Sequence, residues 1–251
     1  MKDYSLGFVS NQDLFEHTLN TVKQFRTTIT LNDFIKNIVD PIKLTFDSYV
    51  YRKSVDNAIE AEIARQLGKT NENLIGYFHQ NMFKYLGNGW EIPDDGFDVV
   101  NYTRQIWAEF KNKHNTMNSS SASANHAKMK GLVLGNQKAT CYLVEIIAKK
   151  SQDIPWCLRS APLNPDKQER LRRISIDQFY EIATGDKLAF CKLCSVLGQV
   201  IDDIIDEHPQ AIGENTVLQE LRSLDADILK RLFSTSFATY HGFDKFTILR
   251  Q

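Results

Sequence analysis

The sequence has few cysteines, almost no net charge and no long apolar run, and each absence excludes a class of protein. Four cysteines in 251 residues are too few for the disulfide framework of a small secreted domain. The formal net charge is −1, with 30 basic and 31 acidic residues, which excludes a protein that binds polyanions through its overall charge. Any surface that binds nucleic acid must therefore be local.

Segments typical of membrane or secreted proteins are also missing. No apolar run is long enough to cross a bilayer, and the N-terminus has no signal-peptide pattern, so we expect a cytoplasmic protein with no membrane association. Repeats, long linkers and low-complexity tracts are absent. With 42% hydrophobic and 24% charged residues, the chain is expected to form one domain, divided into a helical lead-in (1–70), a core (71–150) and a segment of loops and helices (151–251).

Apolar spacing predicts helices on both sides of a sheet. Helical periodicity covers much of the lead-in and is expected to end at Gly68, and a new helix is expected to begin at Asn71 or Asn73. The later predicted elements are a hairpin at 96–116, a helix at 120–134, a doubly covered strand in "KATCYLVEIIAKK", a short strand in "RISID", and helices at 186–206 and 215–233. A helix that joins neighbouring strands makes them parallel. We therefore expect an α/β fold with a mixed central sheet flanked by helices and with helical extensions at both termini.

The stretch "GFDVVNYTRQIWAEFKNKHNT" carries charge inside the predicted hairpin. A turn centred on Thr103 and Arg104 pairs Asp98 with Glu109 and places Lys111 on the same face. Two ionised carboxylates about 5 Å apart repel by roughly 3 kcal/mol at an effective dielectric near 20, so the pair indicates a shared cation. One Asp and one Glu suit Mg²⁺ better than Zn²⁺. This arrangement fits metal-assisted phosphodiester hydrolysis, in which Lys111 holds or polarises a water.

These residues resemble a known superfamily. Asp98, followed by Glu109-Phe110-Lys111 after a short hairpin, with a helix before and a helix plus strand after, is similar to the PD-(D/E)xK nucleases and their αβββαβ core. In that superfamily the Asp and Glu bind Mg²⁺ and the Lys activates water. The resemblance therefore implies Asp98, Glu109 and Lys111 as catalytic residues, with Asp98, Glu109 and the Phe110 backbone carbonyl as metal ligands.

A longer resemblance points to one group within the superfamily. "GYFHQN", "GFDVVN", "AEFKNKHNT" and "FYEIATGD" are similar to type II restriction endonucleases that cut GGNCC- or GGWCC-type sites, over about residues 70 to 195. The resemblance implies a prokaryotic, cytoplasmic enzyme that cuts double-stranded DNA at a short palindromic site with Mg²⁺. Because a two-fold site calls for a two-fold protein, a homodimer is also implied.

Three alternatives concern the hairpin itself. Pro93-Asp94 matches the literal motif name, but Asp94 would pair with position 113, beyond the useful end of the hairpin, so we favour Asp98. A one-residue slip in register would send every side chain to the opposite face, and "NYTR" is a weak turn sequence. An exposed edge hairpin with solvated charges would also fit the spacing.

Other polar residues are weaker candidates. Gln80, on the helix before the hairpin, is a possible accessory residue or a solvated glutamine, and His79 is expected to pack in the core. The polar residues that follow the predicted catalytic strand could reach DNA phosphates or bases, or could form a polar strand end and helix cap; they are Asn112, Lys113, His114 and Asn115. The densest basic cluster could also contact DNA, or could be solvated loop charge; it comprises Lys167, Arg170, Arg172 and Arg173. Cys191 and Cys194 are expected to be buried on a helix, because no second CxxC accompanies them.

Two further function classes also fit the sequence. A repair or recombination nuclease could use the same core and recognise DNA ends or structure in place of a sequence. A non-catalytic DNA-binding module could carry the same acids for structural reasons. Discrete fragments from a long DNA would favour restriction over repair, and stabilisation by a divalent cation would favour a metal site over structural charges.

Overall fold

The computed structural model describes residues 2–114, 116–158, 169–208 and 215–239. The chain divides into two compact units, one formed by 1–24 with 73–209 and the other by 25–72 with 210–251. Their boundaries differ from those of the three predicted segments, because the first part of the predicted lead-in belongs to the unit that contains the sheet. The interpretation as one domain stays a prediction.

Nine helices and five strands are found within the described ranges. The helices are α1 (Asn11–Gln24), α2 (Leu31–Lys36), α3 (Pro41–Val50), α4 (Val55–Met82), α5 (Ser119–Gly135), α6 (Ile176–Thr184), α7 (Ala189–Glu207), α8 (Val217–Leu224) and α9 (Ile228–Ser236). The strands are β1 (Val99–Asn101), β2 (Ile106–Lys113), β3 (Thr140–Ile147), β4 (Asp153–Pro155) and β5 (Leu171–Ser175).

The five strands form one mixed sheet in the order β1-β2-β3-β5-β4. Strands β2, β3 and β5 run parallel to each other, whereas β1 and β4 are antiparallel to their neighbours at the two edges. Glu91 forms a further antiparallel bridge to Val100 of β1. This sheet, with helices on its faces and at both termini, confirms the predicted α/β class and is consistent with a restriction-endonuclease-like fold.

The two faces of the sheet are covered by different layers. On one face, Phe110 of β2 packs with Phe83 and with Phe179 of α6, in the largest buried apolar cluster. On the other face, Leu143 of β3 packs with Met129 of α5. Because strand side chains alternate between faces, Glu109 and Lys111 lie on the face that α5 covers.

The second unit has an apolar core of its own. It is built from the first half of α4 together with α2, α3, α8 and α9, and its buried side chains include Phe34, Leu44, Ile59, Leu221 and Leu229. Within this unit, the Asp40 side chain caps α3 by accepting from the backbone N–H groups of the first turn. One face of α3 therefore belongs to this core.

Several predicted boundaries were wrong. The helix does not stop at Gly68 or restart at Asn71 or Asn73, because α4 runs unbroken from Val55 to Met82. A glycine inside a helix costs about 1 kcal/mol relative to alanine, and the burial of Ile59 and Met82 along the same helix outweighs that cost.

The C-terminal half also differs in detail from the sequence pattern. The strand predicted in "RISID" occupies Leu171–Ser175, and α6 begins at once at Ile176. The single helix predicted at 215–233 is two helices, because the Asp227 side chain accepts from Lys230 N–H and begins α9. Strand β4 lies in a segment predicted to be a loop.

Two glycines of α4 provide a matched test of this packing. An ideal Cβ at Gly68 meets nothing within 4 Å, whereas one at Gly76 lies 2.6 Å from Asn112 Oδ1. Gly68→Ala should therefore stabilise the protein by about 0.5–1 kcal/mol, whereas Gly76→Ala should gain nothing or lose stability because Asn112 must move. Urea unfolding of both variants measures the difference, and equal stabilisation by both would contradict the observed contact between α4 and β2.

Candidate active site

The register of the hairpin positions the site. Asn101 pairs with Ile106, Val100 with Trp107 and Val99 with Ala108, so the predicted register of the strands is observed and the one-residue slip is excluded. Asp98 lies one residue before β1, where this register continues toward Glu109. The turn is fixed by its own side chain, since Asn101 Oδ1 accepts from Arg104 N–H at 2.9 Å. Residues 99–101 of β1 and 108–110 of β2 are buried, which argues against an exposed hairpin with solvated charges.

Asp98 lies just before β1 and is bound to β2 through its backbone and its side chain. Its N–H donates to Ala108 O at 3.0 Å, and its Oδ2 accepts from Phe110 N–H at 2.6 Å. The carboxylate therefore takes the place of a backbone acceptor at the end of the ladder. This bond holds the Asp98 side chain beside the residue that follows Glu109.

Glu109 is the centre of a charged cluster. Its Oε1 accepts from Lys111 Nζ at 3.0 Å, and its Oε2 accepts from Lys128 Nζ of α5 at 2.6 Å. The Glu109 side chain is only 11% exposed. Because burial strengthens the interaction between charges, both ammonium groups compensate a carboxylate that would otherwise be costly to bury.

The environment of Asp98 favours its neutral form. Burial raises the pKa of Asp98 above its usual value, and the nearby Glu109 charge adds to that increase. The Phe110 N–H and the charges of Lys111 and Lys128 act in the opposite direction and only partly offset it. A divalent ion would reverse this balance, because a cation next to a carboxylate favours its charged form.

The donor set fits Mg²⁺. Within the described ranges, no three His, Cys, Asp or Glu residues come together as a metal-binding group, so Asp98 and Glu109 form a pair of carboxylates without a third such ligand. Mg²⁺ is commonly held by one or two carboxylates, with waters and substrate phosphates in its other positions. Asp98 and Glu109 meet that requirement, whereas zinc would require additional N or S ligands.

The other candidates near the hairpin have different environments. Asp94 is exposed in the bend before β1, which supports the choice of Asp98. His79 is buried between aromatic rings, and burial lowers its pKa to about 4, which confirms a packed histidine. Gln80 is half-buried on α4; its accessory role, like metal binding by the Phe110 carbonyl, stays a prediction.

Three of the residues predicted to contact DNA at the end of β2 have structural neighbours. Asn112 lies against Gly76 of α4, and Lys113 is the exposed last residue of the strand. His114 Nδ1 lies 3.1 Å from both carboxylate oxygens of Glu145. Asn115 lies outside the described residues. Contact of these residues with DNA stays a prediction.

The predicted basic cluster is dispersed over the fold. Arg170 donates to the carbonyls of Val133, Asn136 and Ala139 at the end of α5. Arg172 pairs with Asp153 of β4, and Arg173 pairs with Glu145 of β3. Lys167 lies outside the described residues. All three arginines make these internal contacts, and DNA binding by them stays a prediction.

Sequence reasoning missed two residues of this region. Lys128 is one of two lysines in "HAKMK", and no spacing rule distinguishes the one that points to the sheet. Glu145 carried a signal, since it is an acid within the apolar run "YLVEII", and it is 1% exposed. The expectation for the cysteines was wrong, because Cys191 and Cys194 are exposed on α7.

Comparisons with known proteins point to one family. The family model described as Eco47II restriction endonuclease matches residues 6–206. The chain is 31% identical to the type II restriction enzyme Sau96I of Staphylococcus aureus, over 82% of this chain and 83% of that protein. It is also 31% identical to the type II restriction enzyme Eco47II of Escherichia coli, over 81% of this chain and 89% of that protein. These relatives favour restriction over repair and over a non-catalytic role.

Asp98→Asn separates the stability of the site from its function. The raised pKa of Asp98 means that its ionisation destabilises the metal-free protein, so the stability that protonated Asp98 contributes is lost as the pH rises through that pKa. Asparagine keeps an acceptor for Phe110 N–H and removes the charge. In EDTA the variant should melt at a higher temperature than wild type at neutral pH, with the difference disappearing in acid.

The same variant should lose at least about 100-fold in DNA cleavage and should no longer be stabilised by Mg²⁺. Thermal melts between pH 4 and 8, with and without Mg²⁺, test the first part, and plasmid digestion tests the second. A lower melting temperature in EDTA would show that the attraction between Asp98 and the charges of Lys111 and Lys128 outweighs the cost of its burial.

Proposed function

Because the chain belongs to the Eco47II restriction endonuclease family, it is a type II restriction endonuclease, and we propose that it cuts both strands of a short palindromic DNA site using Mg²⁺. The observation that carries this proposal is the convergence of Asp98, Glu109 and Lys111 on one face of the sheet. The family implies a divalent metal ion, and the two carboxylates suit Mg²⁺ among those ions.

Each residue of the site has a distinct task in this proposal. Asp98 and Glu109 hold the ion, and their fixed geometry comes from strand pairing and from the Phe110 N–H. When bound, the ion supplies positive charge to the phosphate oxygens as negative charge grows on them. Lys111 lies next to Glu109 on the same face, where its ammonium group orients the attacking water and stabilises its deprotonated form.

The similarity to Sau96I and Eco47II also bears on the substrate. We propose that the DNA site is of the GGNCC or GGWCC type, as the sequence motifs imply. Within the described ranges no helix combines the length and the apolar character needed to cross a bilayer, and we place the enzyme in the prokaryotic cytoplasm, where its DNA substrate is found.

The symmetry of a palindromic site supports a homodimer. The described residues of one chain contain one Asp98–Glu109 cluster. Cutting both strands at one site therefore calls for two chains related by a two-fold axis. An exposed apolar stripe on α3 supports such an association. Its residues recur at helical spacing on the side of α3 away from Leu44, and they are Ile42, Phe46, Tyr49 and Val50, each at least half exposed.

The stripe on α3 is large enough to contribute to an interface. At roughly 200 Å² for a fully exposed aromatic side chain, Phe46 and Tyr49, which are 65% and 69% exposed, contribute about 270 Å² on their own. Exposed apolar patches of a few hundred Å² on a single chain commonly mark interaction sites. Lys43 and Asp47 pair on the same helix, so two antiparallel copies of α3 would bring opposite charges together.

DNA digestion tests the enzymatic proposal. The protein should cut a long DNA into discrete fragments with Mg²⁺ and leave it intact in EDTA, and sequencing of the fragment ends should return one short symmetric site. Lys111→Ala should lower cleavage by at least about 100-fold while leaving DNA binding in Ca²⁺ nearly unchanged. Lys138→Ala, at an exposed lysine before β3, is the matched control and should cut normally.

The outcomes of this experiment separate the alternatives. Ladders or progressive loss of DNA ends would indicate a repair-type nuclease, and cleavage in EDTA would contradict the use of a metal ion. Normal cleavage by Lys111→Ala would remove that residue from the mechanism and leave the family assignment intact.

The role of α3 in association is tested by Phe46→Glu. A charge in the centre of the stripe should prevent burial of that surface, so the variant should have the monomer mass of 28.8 kDa, whereas wild type should have twice that mass in analytical ultracentrifugation. Leu134→Glu, at an exposed leucine on α5, is the control and should remain dimeric. A dimeric Phe46→Glu variant would exclude the stripe, and a monomeric wild type at micromolar concentration would contradict the homodimer.

A further inference from the structure

Lys128 is a second lysine in the catalytic cluster, and it comes from a different element. It lies in the middle of α5, the helix that covers the catalytic face of the sheet, whereas Glu109 and Lys111 belong to β2. Its Nζ donates to Glu109 Oε2 at 2.6 Å and to the Gly96 carbonyl at 2.8 Å. The same ammonium group lies 4.4 Å from the centre of the Phe97 ring, which is within the range of a cation–π contact.

These three contacts join the two halves of the site. Gly96 and Phe97 immediately precede Asp98, and Glu109 lies on the neighbouring strand. One ammonium group therefore holds the segment that carries the first acid against the side chain of the second acid. The Lys128 side chain is 34% exposed, so its contact with Glu109 is partly protected from solvent.

The charges of the cluster are balanced by the two lysines. Asp98 and Glu109 contribute two negative charges when ionised, and Lys111 and Lys128 contribute two positive ones. Each carboxylate oxygen of Glu109 accepts from one of the two ammonium groups. A metal ion that bound Glu109 would therefore have to share an oxygen with one of these ammonium groups or replace it, and it would meet the positive charge of both lysines.

Strand geometry decides which contact can be replaced. Lys111 is two residues from Glu109 on the same strand, so its ammonium group stays on that face whatever the state of Glu109. Lys128 approaches from a separate helix and has two other partners, the Gly96 carbonyl and the Phe97 ring. It can release Glu109 Oε2 and keep those partners.

We propose that Lys128 is a positioning residue with two roles. When no divalent ion is bound, its ammonium group donates to Glu109 Oε2, and it holds the Gly96–Asp98 segment in place both with and without the ion. This inference rests on the proposed function, because it assigns Lys128 a role toward the metal ion of that site. Lys128 thereby weakens metal binding by its charge and preserves the geometry that the ion needs.

Metal affinity in Lys128→Met tests the charge role. Methionine keeps much of the length of the side chain and removes the ammonium group. The apparent Ca²⁺ dissociation constant should fall about tenfold, because a unit charge about 5 Å from a divalent ion in a water-like dielectric has an effect of that order. Isothermal titration calorimetry and the rise in melting temperature with Ca²⁺ concentration both measure it. Lys128→Arg, which keeps the charge, should bind Ca²⁺ as wild type does.

Lys130→Met is the matched control, because Lys130 is an exposed lysine on the same helix and its loss changes the net charge of the chain by the same amount. Its Ca²⁺ affinity should stay within twofold of wild type. Equal tightening by both methionine variants would indicate a general charge effect and would overturn the proposal. Unchanged or weaker Ca²⁺ binding by Lys128→Met would overturn it as well.

Amide hydrogen exchange in EDTA tests the tether. Asp98 N–H donates to Ala108 O, and this amide should exchange measurably faster in Lys128→Met than in Lys130→Met. Unchanged exchange would contradict the positioning role. Should Lys128→Met fail to fold, Lys128→Gln, which keeps a donor for the Gly96 carbonyl, provides the same Ca²⁺ comparison.

The Ca²⁺-binding and DNA-cleavage experiments together distinguish failure of the Lys128 role from failure of the proposed function. Wild-type protein that binds no divalent ion would contradict the proposed use of Mg²⁺, and with it the charge role of Lys128. Wild-type protein that binds Ca²⁺ and cuts with Mg²⁺, with no tightening in Lys128→Met, would contradict only the role of Lys128.

Discussion

The pairing of β1 with β2 is the constraint on which the site depends. It fixes Glu109 on the face covered by α5, and the Phe110 N–H fixes Asp98 by donating to its carboxylate. A side chain thus completes a backbone ladder, so the position of the first acid is determined by the same hydrogen bonding that forms the sheet. Loops vary and move more than strands, and this device lets a residue outside the regular strand share the rigidity of the strand.

The same arrangement is costly for the fold. Two acids on a covered face repel each other and lose hydration, and the raised pKa of Asp98 records that cost. Lys111 and Lys128 offset part of it from two directions, one along the strand and one from the crossover helix. Helix α5 therefore both covers the sheet and supplies charge to the site. At the proposed metal site, ion binding would therefore contribute to stability as well as to chemistry.

Much of this arrangement follows from local rules that act along the sequence. A four-residue turn between two apolar runs fixes which residues face each other, and the two-residue period of a strand puts Glu109 and Lys111 on one side. Helix rotation and tertiary partners do not follow from such rules. The sequence gives no means of knowing that Lys128 rather than Lys130 faces the sheet, that the arginines turn inward to carbonyls and acids, or that α4 continues through Gly68.

Glu145 shows why a buried acid on the right face is not enough to make a metal site. It pairs in register with Lys111 across β2 and β3, and alternation places it on the face that carries Glu109. Its carboxylate, however, is bound by Arg173 and lies beside His114. A guanidinium holds a carboxylate with fixed geometry and keeps its charge at any pH, so displacing it is costly. Glu109 is bound by two ammonium groups, and this difference in partners is why we propose Glu109, and not Glu145, as the acid that binds a cation.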